Sequence, residues 1–167
     1  MGGVHHQPQG PAFDIVLLLH VACVVVGLAT MVASAATATR LRRILPSTTE
    51  LPEPLRRYFR SGTNWAARTV YGIPVFGFAL LAMSAGAYTL RQGWVMGGLA
   101  VFVTVVLLAE GVLWPAERRL QVSLAAGGTG SPHDADAVRH DARVMALSAT
   151  GALVLLIAGS VMMVAQP

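Results

Sequence analysis

The chain has 167 residues, 54% of them hydrophobic and only 12% charged, with a formal net charge of +4. Soluble domains carry roughly 25% charged residues, so the composition excludes an ordinary soluble domain and places the chain among membrane proteins. All 12 basic residues are arginines, gathered between apolar runs as a membrane topology requires, so no nucleic-acid partner is expected.

Residues 1–13 hold two prolines, three glycines and no arginine, which predicts an irregular outer tail; His5 and His6 in it make no more than a weak, nonspecific metal pair. The first span is predicted over 14–39. Ile15 to Thr39 is a run of 25 residues without a formal charge, ~37 Å long as a helix and enough to cross a ~30 Å hydrocarbon core with some tilt. Arg40, Arg42 and Arg43 end it.

Residues 40–68 form a long loop. Its segment 46–54 (PSTTELPEP) is turn-rich. Leu55, Tyr58 and Phe59, at i, i+3 and i+4 among three arginines, fit either a short helix at headgroup level or a solvated turn. The second span is predicted over 69–90, with Trp65, Tyr71 and Tyr88 marking the interfaces and Pro74 implying a kink. After a short turn at 91–93, two tryptophans bracket a third span of 21 residues, 94–114, which Pro115 is expected to stop. A second long loop is predicted over 115–143, with a flexible centre at 125–136 and a solvated helical lead-in from Asp134 to Arg143. The last span is 144–165.

The fold class that follows is all-α: a polytopic membrane protein built as a four-transmembrane-helix bundle. With its edge residues Arg40 and Arg68, the first long loop holds seven arginines; the second holds four and the opposite side only Arg91. The positive-inside rule predicts both long loops in the cytoplasm and both termini outside, in the cell's inner membrane. Small residues supply helix-packing stripes: Thr30, Ser34 and Ala38 with Ala29, Ala33 and Thr37 beside them; Ala82 with Gly86; Ser148 with Ala152; Gly151 with Gly159. Such stripes serve equally for the bundle itself or for other integral membrane subunits, since helices in lipid associate through close approach.

Few groups carry chemistry. His20 lies inside the first span, where an ionisable residue is a functional-site hypothesis by default. It could ligate haem iron, hydrogen-bond a quinone, relay a proton, or form an interhelical hydrogen bond. Cys23 shares its helix face, but His-x-x-Cys falls short of the four ligands of a structural zinc. Glu110 is the one carboxylate inside a span. Read as antiparallel neighbours, spans two and three bring it to Arg68, a pair that pins two helices or, alternatively, takes up protons. Met162 and Met163 diverge by about 100° on a helix and cannot form one clamp. No phosphate loop, CxxC pair or Ser-His-Asp spacing is present.

The stretch LLLHVACVVVGLATMVASAATATRLRR (17–43), then Gly72-Ile73-Pro74, Gly93-Trp94 and the ending Met163-Val164-Ala165-Gln166-Pro167, resemble a family of small four-span bacterial proteins. That family is classed as predicted integral membrane proteins with a domain of unknown function. The resemblance covers most of the chain and implies the fold and no activity. The first span alone also resembles the membrane haem-dependent protoporphyrinogen oxidases. There a histidine near the start of span one serves haem, and His20 is the matching position. The cationic residue expected in a later span of those enzymes has no counterpart here, where lysine is absent and no arginine lies mid-span.

Two functions are therefore carried forward. The first is a non-catalytic accessory subunit, needing no cofactor and packed in the bilayer against a larger membrane complex, with a respiratory, electron-transport complex expected. The second is a small haem- or quinone-linked redox protein using His20.

Overall fold

A computed structural model of the chain describes residues 10–45, 51–60, 62–126 and 132–165, with backbone only at 132 and 133. The His5–His6 pair, most of the turn-rich 46–54 segment, the centre of the second loop and the last two residues lie outside these. The described residues form seven α-helices: α1 (Pro11–Ile44), α2 (Glu53–Tyr58), α3 (Trp65–Arg68), α4 (Gly72–Met83), α5 (Gly93–Leu108), α6 (Trp114–Ala125) and α7 (Pro132–Ala165). A 3-10 turn, Thr69–Tyr71, joins α3 to α4, and a π-helical turn, Ala109–Leu113, joins α5 to α6. Four of the continuous helical stretches are long and apolar enough to cross a membrane: Pro11–Ile44, Trp65–Met83, Gly93–Ala125 and Asp134–Ala165. The protein is an all-α, four-span membrane bundle.

The ends of spans two and three differ from the sequence reading, each for a local reason. The second span ends at Met83 and not at Leu90. There the buried Ser84 accepts the Tyr88 N–H and donates to the Leu81 carbonyl, and Ala85 (φ 50°) and Gly86 (φ 86°) turn the chain in the left-handed region. Gly86 is therefore a turn glycine and not a packing one: it is exposed, and a Cβ there would meet nothing within 4 Å. Pro115 does not stop the third span. Its ring would crowd the Gly111 carbonyl of an α-turn, and the wider π-turn immediately before it makes the room, so the helix runs on to Ala125. Pro74 crowds the Val70 carbonyl in the same way, and that turn tightens to 3-10. Much of the expected 115–143 loop is consequently helical, as α6 and the first turns of α7.

The packing order across the bundle is α4, α1, α7, α5. The central antiparallel pair is α1 with α7; α4 packs on α1, while α5 and α6 pack on α7. Although a short turn joins α4 to α5, the two do not lie along one another, so spans two and three are not the packed neighbours expected. The buried residues concentrate toward the arginine-rich end: Met31, Ala38 and Leu41 of α1, Val105 and Ala109, Leu113 and Leu120, and Val138, Ala142, Met145 and Ala149 of α7. Leu55 and Phe59 join them, so α2 is a helix whose apolar side docks on the bundle and does not face lipid. Arg119 clamps α6 to α7 through Asp141, with Nε 3.0 and 3.1 Å from its two oxygens and Nη2 3.0 Å from Oδ1.

Small residues set the helix approaches. Gly159 and Gly151 of α7 face Val101 and Leu108 of α5; Gly97 and Gly98 of α5 face Met162 and Met163. On the other flank, Gly72 receives Cys23: a Cβ on Gly72 would lie 2.5 Å from Cys23 Sγ. Gly72→Ala should therefore destabilise the protein by about 1–3 kcal/mol, the usual range for overpacking. Cys23→Ala should restore most of that loss, measured as the unfolding midpoint in mixed micelles. Strictly additive single and double variants would show that these helices do not meet there.

Candidate functional site

Among the described residues, two places hold the polar side chains that the sequence singled out inside or beside the spans. The first is His20 on the α1–α4 contact. Its Nδ1 donates to the Ile73 carbonyl at 2.9 Å. Gly77 makes this approach feasible: residue 77 stands one turn above residue 73, and a Cβ on it would already be 3.4 Å from His20 Cε1. The bond requires a proton on Nδ1 and leaves Nε2 as the nitrogen that could ligate; Nε2 makes no hydrogen bond among the described residues. Within those residues no group of three or more His, Cys, Asp or Glu side chains is placed to hold a metal ion. Among the described residues no hydrogen bond or ligand group joins His20 to a second imidazole, so they do not by themselves make up a haem site of two histidines.

The second place is the arginine-rich end. Arg68 closes α3 and donates through Nη1 to Glu110 Oε1 at 2.9 Å. Its guanidinium lies 3.6 Å from the centroid of the Trp114 ring, and Nη1 also reaches Tyr71 Oη at 3.4 Å. Tyr71 donates to the same Glu110 oxygen, and its ring meets Trp114 at 5.9 Å. Glu110 sits in the π-turn and Tyr71 in the 3-10 turn, so both irregular backbone segments serve this junction. The Arg68 side chain is 21% exposed and that of Glu110 48%, a partly screened pair.

Beside it, α6 presents Trp114, Glu117, Arg118 and Gln121 at i, i+3, i+4 and i+7, one helix face. Glu117 is buried at 6% exposure. Asn64 is its hydrogen-bond partner, and Arg68 and Arg118 face it electrostatically. Asn64 also caps α3 by accepting the Ala67 N–H at 3.3 Å. Tyr58 Oη meets Ser34 Oγ at 2.8 Å. Burial, followed by the Glu117 charge, pushes the Tyr58 phenol up to about 12, against the opposing hydrogen bonds from Ser34 and Asn64. Two cavities open at this end. One, of about 270 Å³, is lined by Gly62, Thr63, Asn64, Arg68, Trp114, Glu117, Arg118 and Gln121. The other, of about 450 Å³, shares Gly62, Thr63, Asn64 and Gln121 and adds Thr30, Ala33, Tyr58, Arg60 and Ala66.

The residues singled out from the sequence thus divide. Arg68 and Glu110 are paired. Ser34, Gly151 and Gly159 lie in helix contacts, while the Thr30 hydroxyl is committed to the Gly27 carbonyl at 2.8 Å. His20 lies apart from the arginine-rich cluster. Sequence reasoning passed over Asn64, Glu117 and Gln121; the i, i+3, i+7 spacing from Trp114 carried the signal, hidden by reading Pro115 as a helix stop.

Glu110→Gln keeps an acceptor for Tyr71 and Arg68 but removes the charge. It should lower stability in detergent by about 1 kcal/mol and leave any activity nearly unchanged. Wild-type stability together with loss of a proton-coupled activity would instead make Glu110 a proton-transfer group.

Compared with known proteins, residues 14–167 match the family model described as predicted integral membrane protein (DUF2269). No curated protein and no solved structure matches.

Proposed function

The chain belongs to the DUF2269 family of predicted integral membrane proteins, and from that premise we propose that it is a non-catalytic association subunit of a larger membrane complex. The observation that carries this reading is the outward side of α1. Opposite its buried row of Gly27, Met31, Ser34, Ala38 and Leu41, α1 exposes Ala22, Ala29 and Ala36 on one face. Alanines at helix-packing spacing let a second helix approach closely, whereas lipid gains nothing from them over larger side chains. Residues 11–26 of α1 also contain no buried side chain, so this helix projects beyond the packed core.

Purification in mild detergent tests the reading: a membrane-protein partner of fixed stoichiometry should co-purify, and Ala22→Phe with Ala29→Phe should release it. A respiratory complex is the partner class to seek first, by mass. Recovery of the wild-type chain alone overturns the proposal, and a Soret absorption band that disappears in His20→Ala overturns its non-catalytic part.

The same reading places the arginine-rich end in the cytoplasm and both termini outside, on the eleven-to-one arginine bias between the two sides of the bundle. In a Cys23→Ala background, a cysteine substituted for Arg91 should react with a membrane-impermeant maleimide in intact spheroplasts, and one substituted for Arg57 should not. The reverse pattern would invert the topology.

A further inference from the structure

The two cavities at the arginine-rich end share the lining residues Gly62, Thr63, Asn64 and Gln121 and so lie side by side, a groove in two parts. It runs from α6 past the segment before α3 to the flank of α1. Gly62 is a wall of both; it holds φ at +150°, where only glycine is comfortable, and no atom lies within 4 Å of where its Cβ would be. Gln121 Nε2 donates to the Gly62 carbonyl at 3.4 Å and ties the two walls together.

The charges in the groove are not balanced. Arg68 is committed to Glu110. Arg60 and Arg118 are exposed and neither forms an ion pair with a described residue. Against them stands Glu117, covered by the protein. Two guanidiniums against one carboxylate leave one positive charge, flanked by the Thr63 hydroxyl and by the Gln121 amide hydrogen that the Gly62 carbonyl does not take. At its other end the groove reaches Thr30 and Ala33, inside the uncharged apolar run of α1 and exposed at Ala33. A cationic, donor-lined pocket that continues onto an apolar membrane face has the two-part chemistry of a phospholipid.

We infer that this groove binds one anionic phospholipid, its phosphodiester between Arg60 and Arg118 and an acyl chain along Thr30 and Ala33 of α1. The lipid's single negative charge neutralises the groove, which a zwitterionic lipid does not. A free phosphate would use the same guanidiniums but has no use for the Ala33 end.

Native mass spectrometry of the full chain, released from phosphatidylcholine nanodiscs doped with phosphatidylglycerol, reads the site directly. One phosphatidylglycerol should be retained per wild-type chain in preference to phosphatidylcholine. Arg60→Gln with Arg118→Gln should reduce that retention about tenfold or more, by the attraction each arginine exerts on an anionic lipid. Arg40→Gln with Arg43→Gln removes the same charge from exposed arginines outside the groove and should leave it unchanged. Ala33→Phe, which fills the membrane end, should also reduce it, while excess inorganic phosphate should not strip the lipid. Equal retention of the two lipids, equal effects of the two arginine pairs, no effect of Ala33→Phe, or displacement by inorganic phosphate would each overturn the assignment.

Discussion

The bundle depends on what Arg68 does with a flat cation. Spans two and three flank the α1–α7 pair and do not pack on one another, so side chains must join the two arms at the arginine-rich end. The Arg68 guanidinium lies over the Trp114 ring and donates through Nη1 to Glu110, with Tyr71 hydrogen-bonded to both Arg68 and Glu110. A planar, delocalised cation can stack and pair at once; the compact ammonium of a lysine cannot. The pair is partly exposed, so its electrostatic worth is modest. Its structural weight comes from fixing the distance between two helices that no ridge-and-groove contact positions.

Both irregular backbone turns serve the same junction. Proline removes a donor and crowds a carbonyl four residues earlier wherever it sits in a helix. Here the two prolines are placed so that the distortion falls at Thr69–Tyr71 and at Ala109–Leu113. Those turns carry Tyr71 and Glu110. In lipid a freed carbonyl is expensive, so such turns are tolerated where protein surrounds them, and the buried Val70, Ala109, Leu113 and Trp114 supply that surrounding. The far end lacks this density. There α5 meets α7 through glycines opposite methionines, and apolar residues such as Val154, Ile157 and Val161 of α7 remain exposed, which costs nothing against hydrocarbon.

Hydropathy and charge were enough to read the four spans from the sequence, because they follow from the cost of charge and bare backbone in a bilayer; the Arg68–Glu110 pair was read from spans two and three packing together, which they do not, and it forms through side chains at one end. What stayed hidden depended on three-dimensional compensation. The continuation of span three past Pro115 needs a π-turn that no residue pattern announces. Once that helix is cut short, Glu117 and Gln121 read as solvated loop residues instead of one face with Trp114. Gly86 looked like half of a small-residue stripe because span two was carried too far; its positive φ belongs to the turn that ends α4. The docking of Leu55 and Phe59 on the bundle was equally invisible, since an amphipathic helix looks the same whether its apolar side meets lipid or protein.

His20 was the residue the sequence made most conspicuous, and its geometry separates two questions that the sequence ran together. Its imidazole is turned toward α4 and spends Nδ1 on the Ile73 carbonyl beside Gly77. At 100° per residue, the direction of His20 lies about 160° from that of Ala22, nearly the opposite side of the helix. A helix seated on the alanine face would therefore not touch His20, and a group bound at His20 Nε2 would not occupy the alanine face. The association and redox readings thus use different sides of α1, so a substitution on the alanine face and one at His20 perturb them independently.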